Sequence, residues 1–249
     1  MLLSAAAIYG VGASSAFEYT DLRIDGLHFT DQRAVEAALA GARGQNLFGL
    51  STRPLTAALE AMPTVRTARV DVRLPGTLAV TIDERVPVLI WQVGDHRFLA
   101  DGDGSIFALL PTKPPAEAAG LPVIDDRRTA SAQLAVGGSL DAADLDAATR
   151  LASLIPGDVG SSAVSLSVGV TDENGFVVGT RPNGWSAVFG FYTPSLRTTA
   201  IIPGQVRLLR SLLIGREALV DRVILASETD GTYTPRAGPS ASPTSSEAP

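Results

Sequence analysis

The chain has 249 residues, a formal net charge of −6 and no cysteine. The acidic balance argues against a nucleic-acid groove, which requires concentrated Lys and Arg, and the absence of cysteine excludes disulfides and thiolate chemistry. With 45% hydrophobic and 18% charged residues, the chain is long and apolar enough to fold as one or two domains of ordinary size.

The N-terminal stretch, residues 2–17, is apolar and carries no charge before Glu18. It is shorter than the roughly 20 residues that a membrane-spanning helix needs, and it lacks the basic start of a signal peptide. Two interpretations are open: a loosely ordered apolar terminus, or the outer part of a transmembrane helix whose inner part and basic flank are missing. We adopt the second, a truncated anchor over residues 1–17, and expect an in-frame upstream extension with several basic residues.

Two alternating strands follow each other over residues 65–87. Their apolar positions are all even-numbered: Ala68, Val70, Val72 and Leu74 in the first strand, and Leu78, Val80 and Ile82 in the second. Because alternate side chains share a face, both sets face one core only if even residues pair with even residues, which requires an odd number of loop residues. The segment therefore predicts a hairpin, most simply with a three-residue loop, and Pro87 ends its second strand.

Upstream of this hairpin, the pattern predicts a strand over residues 19–24 and two helices over residues 31–40 and 52–62. The element order is therefore β-α-α-β-β. Together with the phrases GQNLF at residues 44–48 and ERVP at residues 84–87, this order resembles the POTRA domain of the bacterial division protein family FtsQ/DivIB. The resemblance covers about residues 18–108 and extends in a looser form to about residue 233.

Beyond Pro87 the pattern changes to short strands and turns. Helices are predicted over residues 141–155 and 202–214, and a last strand over residues 220–226. Residues 234–249 are mainly Pro, Ser and Ala and are expected to be disordered. The predicted fold class is α+β, and its parts are a truncated anchor (1–17), a POTRA domain (18–86), a mixed β-rich domain with two or three helices (87–233) and a disordered tail (234–249).

Motifs that would indicate catalysis or a bound metal are not found in the sequence. Asp101, Asp103 and Ser105 have the opening spacing of a calcium loop, but Ile106 stands in place of the required Gly and Thr112 in place of the bidentate Glu. A hairpin turn is the better interpretation. We expect no enzyme activity, no metal and no cofactor. The scattered carboxylates of the second half are expected to be ordinary loop and helix-start residues: Asp125, Asp126, Asp141 and Asp144.

The last predicted strand is the candidate binding site. A final strand lies at the edge of its sheet unless another element covers it, and an edge exposes unpaired N–H and C=O groups to which a partner can add a strand. The alternative is an edge that Arg222 or the tail simply blunts. The candidate partner-binding residues are Arg222, Val223, Ile224, Leu225, Ala226 and Ser227 of the strand, and Arg207 and Arg210 of the preceding helix.

The resemblance to the FtsQ/DivIB family implies how such a site is used. In that family a single membrane span precedes the POTRA domain, and the C-terminal strands with the preceding helix receive small coiled-coil division proteins. The resemblance therefore implies a non-enzymatic, single-pass membrane scaffold of the divisome, with its bulk extracytoplasmic and enriched at the septum. The implied partners are FtsB-like and FtsL-like single-span proteins, other divisome components through the POTRA domain, and the lipid bilayer, and the implied role is to help regulate septal peptidoglycan synthesis.

One departure from the family pattern concerns the candidate site itself. The family's usual Asp-Leu/Met-Arg phrase is replaced by Asp221, Arg222 and Val223. Two other functions fit the sequence less well. A transport or secretion component would place an outer-membrane barrel after the POTRA domain, but too little chain follows Glu84 to supply many alternating segments of roughly ten residues. An envelope hydrolase would need a clustered catalytic set, which the sequence lacks.

Overall fold

The computed structural model describes residues 15–111, 114–181 and 184–236. The chain divides into two compact units, the first of Met1–Val86 with Ile106–Ala108 and the second of Pro87–Ser105 with Leu109–Pro249. Together the units have the mixed α+β character that the sequence predicts. The first unit contains β1 (Asp21–Asp25), α1 (Gln32–Ala38), α2 (Arg53–Glu60), β2 (Val65–Arg73) and β3 (Thr77–Glu84).

The first unit is a three-stranded sheet in the order β1-β3-β2. β1 runs parallel to β3, and β2 runs antiparallel to it. A parallel pair requires a crossover connection, which the two helices between β1 and β2 supply. The predicted β-α-α-β-β order is therefore confirmed. The buried core of this unit consists of side chains from both helices and all three strands, including Val35, Leu39, Leu59, Val70, Leu78, Val80 and Ile82.

The β2–β3 hairpin has the predicted register. Val70 pairs with Val80 and Val72 with Leu78, so even residues face even residues. Three residues, Leu74 to Gly76, separate the strands, which confirms the three-residue loop. Leu74 itself departs from the prediction, because it lies in this loop and is exposed.

A buried carboxylate connects the end of β3 to the loop that precedes α1. Glu84 is only 7% exposed, and its two carboxylate oxygens accept hydrogen bonds from three consecutive backbone N–H groups: His28 at 2.9 Å, Phe29 at 2.7 Å and Thr30 at 2.7 Å. A buried carboxylate is stable only when such donors surround it. Glu84 therefore fixes the chain's path from β1 into α1.

The strands from Pro87 onward form a nine-stranded sheet in the order β12-β11-β10-β9-β8-β7-β4-β5-β6, and all of them except most of β6 belong to the second unit. The strands of the sheet are β4 (Pro87–Val93), β5 (His96–Asp101), β6 (Ile106–Leu109), β7 (Val123–Asp126), β8 (Ser165–Thr171), β9 (Gly175–Arg181), β10 (Ser186–Gly190), β11 (Val220–Leu225) and β12 (Gly231–Pro235). The α-helices of the second unit are α3 (Ala142–Ala152) and α4 (Ile202–Leu213). Five strands run in one direction: β4, β7, β8, β10 and β11. β4 pairs in parallel with β7, β7 with β8, and β10 with β11, whereas β8 and β10 both pair antiparallel with β9, which lies between them.

The two helices pack on one face of this sheet. α3 lies against β7, β8 and β9, and α4 lies against β10 and β11. Each helix carries an apolar stripe that is fully buried, with Leu151 on α3 and Leu209 and Leu213 on α4. The side chain of Asp141 accepts hydrogen bonds from two backbone N–H groups of the first turn of α3, so its predicted capping role is confirmed.

Asp126 is not the ordinary loop residue that the sequence suggested. It ends β7 and is fully buried, where it accepts hydrogen bonds from Trp91 Nε1 (3.0 Å), Ser131 Oγ (2.6 Å) and the Arg128 guanidinium. Arg128 also pairs with Asp144 on α3 at 2.6 Å. Burial alone raises the pKa of Asp126, but Arg128 and Ser131 outweigh it and hold the pKa below its usual value. Burial raises the pKa of Asp144 in spite of its ion pair.

The two predicted terminal segments are only partly within the described residues. Of the predicted anchor, residues 1–14 lie outside them, and Ser15–Phe17 form a 3-10 turn. The tail was expected to be disordered from residue 234, which is wrong for its first two residues, because Thr234 and Pro235 belong to β12. Residues 237–249 lie outside the described residues.

Candidate protein-binding edge

β12 changes the identity of the edge strand. β11 was expected to lie at the edge of its sheet, but it pairs in parallel with β10 and antiparallel with β12. The backbone groups of the predicted binding strand, residues 222–227, are therefore largely used inside the sheet. The premise that these residues form a free edge is wrong. Among the residues that the structure describes, no strand pairs with the outer side of β12, which we call the free edge.

The backbone groups that face this free edge follow from the hydrogen bonds at the two ends of β12. Asp230 accepts from Ser227 N, and Arg236 N donates to Leu219 O, so both even-numbered residues are bonded towards β11. Backbone groups alternate in direction along a strand. Thr232 and Thr234 therefore also face β11. The groups left at the free edge are the N–H and C=O of Gly231 and Tyr233 and the C=O of Pro235, which has no N–H.

The predicted residues of β11 separate onto two faces of the sheet. Val223 and Leu225 are buried on the helix-covered face, whereas Ile224 and Ala226 are exposed on the opposite face. The guanidinium of Arg222 reaches across two strands to Asn174 Oδ1 at 2.5 Å. Ser227 closes the β11–β12 turn, and its Oγ accepts from Thr229 N and Asp230 N. The strand is therefore a structural neighbour of the free edge, and its binding role stays a prediction.

The two predicted helix residues, Arg207 and Arg210, are both exposed on α4. Arg210 donates to the backbone oxygens of Gly157 at 2.6 Å and Asp158 at 3.3 Å, so part of its donor capacity is used within the unit. The structure does not bring these side chains together with the exposed residues of β11, because α4 packs on the face to which Val223 and Leu225 point.

A polar clamp that sequence reasoning missed holds the far end of β11. Arg197 donates to the carbonyl oxygens of Phe189 (2.8 Å), Leu225 (2.9 Å) and Ala226 (2.9 Å). The amide of Gln205, fully buried on α4, donates to two of the same carbonyls. These two side chains satisfy backbone oxygens where β10 and β11 end, which would otherwise be buried without partners. The clamp therefore orders β11, which is the strand that pairs with β12.

Tyr192 completes the clamp. Its hydroxyl donates to Gln205 Oε1 at 2.7 Å, and the Arg197 guanidinium lies 5.8 Å from the centre of its ring. Burial raises the pKa of Tyr192, so it remains a neutral donor. The sequence carries only a weak signal for this arrangement. A Gln within the apolar stripe of a helix, such as Gln205, indicates that a buried partner is needed but does not indicate which residue it is.

The described ranges contain neither a metal-binding cluster nor a membrane-spanning helix. No group of three or more His, Asp or Glu side chains in these ranges is placed to hold a metal ion. Within the same residues, no helix is both long enough and apolar enough to cross a bilayer.

Comparison with known proteins agrees with the architecture of the first unit. The family described as "POTRA domain, FtsQ-type" matches residues 17–85. Three proteins named cell division protein FtsQ are similar to the chain: one from Jannaschia sp. (38% identity over 97 residues), one from Mycobacteroides abscessus (33% over 131 residues) and one from Chloroflexus aurantiacus (25% over 232 residues).

The extent of these matches differs. They cover 39%, 50% and 93% of this chain, in the same order. The chain spans 31% of the Jannaschia relative, 41% of the Mycobacteroides relative and 75% of the Chloroflexus relative. The family match lies on the β-α-α-β-β unit, and the Chloroflexus match extends through both units. Residues 17–85 therefore form a POTRA domain of the FtsQ type, and the chain as a whole is similar to proteins named cell division protein FtsQ.

Proposed function

We propose that the chain is a non-enzymatic scaffold of the bacterial division machinery that captures partner proteins by strand addition at the free edge of β12. The cell-division names of its relatives support the process. The observation that carries the mechanism is the free edge, where two N–H and three C=O groups face away from the sheet. An incoming extended segment pairs with these groups and continues the sheet.

The geometry of β12 also says what the incoming strand contacts. Tyr233 is directly opposite Val223 in the ladder and therefore projects on the helix-covered side, where it is half exposed. Thr232 and Thr234 project on the opposite side. A strand added beside β12 would place an apolar residue against the Tyr233 ring, because aromatic and aliphatic cross-strand pairs stabilise sheets. Backbone pairing then supplies affinity, and Tyr233 supplies part of the specificity.

The partners we assign to this edge are FtsB-like and FtsL-like single-span division proteins. In this proposal the chain is held at the cell membrane by an N-terminal span, with both units outside the cytoplasm and concentrated at the septum. Other divisome components bind the POTRA domain, and the assembled complex helps regulate septal peptidoglycan synthesis. The resemblance of the sequence to the FtsQ/DivIB family supports these assignments.

The experiment compares two proline substitutions at adjacent positions of β12. Tyr233→Pro removes an N–H that faces the free edge, so it should leave the sheet intact and abolish partner capture. Thr232→Pro removes an N–H that faces β11, so it should lower the melting temperature. Tyr233→Ala isolates the side-chain contribution and should weaken capture by a smaller factor. Binding is measured with the extracytoplasmic part of an FtsB-like protein from the same organism.

The melting temperature is the control for each variant. A Tyr233→Pro protein that melts like the wild type and still binds the FtsB-like partner with full affinity would remove strand addition at β12 as the mechanism. The docking site would then have to lie elsewhere, and the exposed face of α4 around Arg207 and Arg210 would be tested next.

A further inference from the structure

The second unit has an apolar patch at one end of its sheet that the proposed function does not use. We call the end at which β8, β10 and β11 begin the basal end, and the other the distal end. Four aliphatic side chains lie in the loops at the basal end and are between 55% and 87% exposed: Ile155, Val164, Ile214 and Leu219. We call these four residues the basal patch. Single exposed aliphatic residues are ordinary, but a group of them marks an interaction surface.

The loops that carry the basal patch are fixed by one carboxylate. Glu217 accepts hydrogen bonds from Ser161 Oγ, Ser162 N (2.9 Å), Ser162 Oγ (2.7 Å) and Trp185 Nε1 (2.9 Å). It thereby joins the loop after α4 to the loop before β8 and to the start of β10. Burial alone raises the pKa of Glu217, but the four donors outweigh it and lower the pKa to about 2. The aliphatic side chains are therefore presented on ordered loops.

Further contacts hold the same loops together. Arg210 donates to the Gly157 carbonyl, and Gly160 packs so closely on Ile214 that an added Cβ would lie 2.9 Å from Ile214 Cγ1. Leu219 is held by the hydrogen bond from Arg236 N to its carbonyl. Because these contacts order the loops, exposure of the aliphatic side chains is a feature of the folded unit.

The charges around the basal patch are mainly cationic on the exposed side. Arg207, Arg210, Arg216 and Arg236 are all exposed. Among the nearby carboxylates, Glu217 is turned to its four donors, whereas Asp158, which accepts from Ile155 N, and Asp221 are exposed. The four exposed arginines therefore outnumber the two exposed carboxylates. The distal turns of the same strands carry the opposite sign. Their exposed charged side chains are all acidic: Asp172, Glu173, Glu228 and Asp230.

We propose that the basal patch rests on the surface of an anionic lipid bilayer. Aliphatic side chains that project from loops, with arginines beside them, fit the boundary between headgroups and acyl chains, where the apolar groups are buried and the guanidinium groups meet phosphates. A protein partner would instead need a complementary socket for each projecting side chain. The acidic distal turns are repelled by such a surface, so the charge distribution orients the unit with its basal end towards the lipid.

This inference goes beyond the proposed scaffold function, which needs only the free edge of β12. The lipid contact and partner capture are compatible in a membrane-anchored chain. β12 ends at the basal end, where Pro235 is opposite Val220. The lipid contact would then limit how far the free edge can move from the membrane in which single-span partners are held.

The test uses the absence of cysteine in the chain. Leu219→Cys introduces one thiol into the full-length protein, and an environment-sensitive fluorophore on it reports burial in lipid. Leu196→Cys is the matched control, because Leu196 is 91% exposed and follows β10 at the distal end. On vesicles that contain phosphatidylglycerol, the emission at position 219 should shift to the blue and rise about twofold or more. The label at position 196 should not respond.

A second variant tests the electrostatic part without touching the apolar residues. The double substitution Arg207→Gln with Arg216→Gln should weaken the response of the label at position 219 about tenfold in lipid concentration and reduce its dependence on salt. Vesicles of pure phosphatidylcholine should give little response. Melting temperatures of all variants should match that of the wild type.

Two results would overturn the proposal. In the first, the full-length protein binds vesicles, but the fluorescence of the label at position 219 does not change or changes as much as that at position 196. This result would show attachment through another part of the chain. The other is a response at position 219 to a partner protein but not to vesicles, which would identify the basal patch as a protein-binding surface. Neither result depends on the proline variants of β12, so the lipid contact and the scaffold function fail separately.

Discussion

Glu84 offers the sharpest test of how the first unit is held together. Its carboxylate accepts three backbone hydrogen bonds between 2.7 and 2.9 Å while almost fully buried. A hydrogen bond to a charged group contributes about 1.5–3 kcal/mol, and bonds in one network do not add in full. Glu84→Ala leaves three donors without their acceptor and should cost about 3–5 kcal/mol, a large part of the stability of a small domain.

The assay is urea unfolding followed by two probes. Both tryptophans of the chain, Trp91 and Trp185, lie in the second unit, so circular dichroism reports both units whereas tryptophan fluorescence reports the second. With a slope of about 1 kcal/mol per M for a unit of this size, Glu84→Ala should lower the first unit's midpoint by about 3–5 M or remove its transition.

Two further variants make the Glu84 result specific. Glu84→Gln keeps one acceptor oxygen but turns an NH₂ group towards backbone donors, so its loss should be intermediate. Asp83→Ala is the matched control, because Asp83 is exposed at the adjacent position of β3. A midpoint for Glu84→Ala within about 0.5 M of the wild type, as expected only for a surface substitution, would refute this account of Glu84.

Three more predictions concern both units. Residues 19–86 expressed alone should be soluble and melt cooperatively by circular dichroism, and an aggregated or molten product would show that the second unit completes their core. Gly26→Ala should cost several-fold more stability than Gly44→Ala in urea unfolding. Both glycines have positive φ, but of the two only Gly26 has a neighbour with which a Cβ would collide, the backbone oxygen of Ile82 at 2.0 Å. Equal losses would contradict this steric argument. Because the pKa of Glu217 falls from 4.5 to about 2 on folding, its ionised form stabilises the second unit above pH 4.5, and this contribution is lost as the pH falls towards 2; Glu217→Gln should reduce that part of the acid dependence in a pH series of melting temperatures.

The first unit could be predicted closely because its information is local. The even-numbered apolar positions of the β2–β3 hairpin fix both the register and the parity of the loop, and Asp31, whose side chain accepts from Arg33 N, caps the start of α1. These features depend on neighbours within a few residues, where periodicity and turn chemistry are reliable guides.

The elements that the sequence did not reveal depend on distant parts of the chain. β7 has only four residues, two of them acidic, and it is a strand because parallel neighbours lie on both sides of it. β12 reads GTYTP and resembles the start of a Pro-rich tail, and it is a strand because β11 supplies a template. The alternation of Thr232, Tyr233 and Thr234, all residues with high strand propensity, was the available signal.

The same limit applies to the candidate site. The sequence predicted the region of the candidate site, which consists of the C-terminal strands and α4. It did not predict which of these strands lies at the edge. The buried roles of Asp126 and Gln205 were also missed, since burial of a single polar side chain depends on which strands the fold places around it.

Amide hydrogen exchange in the presence of the FtsB-like partner tests the central claim most directly. In the free protein, the amides of Gly231 and Tyr233 face the free edge and should exchange fast, while that of Thr232 is bonded to β11 and should exchange slowly. Binding of the partner should slow exchange at Gly231 and Tyr233 by at least about tenfold and leave Thr232 little changed. Protection that appears on α4 around Arg207, with Gly231 and Tyr233 still exchanging fast in the saturated complex, would contradict strand addition at β12.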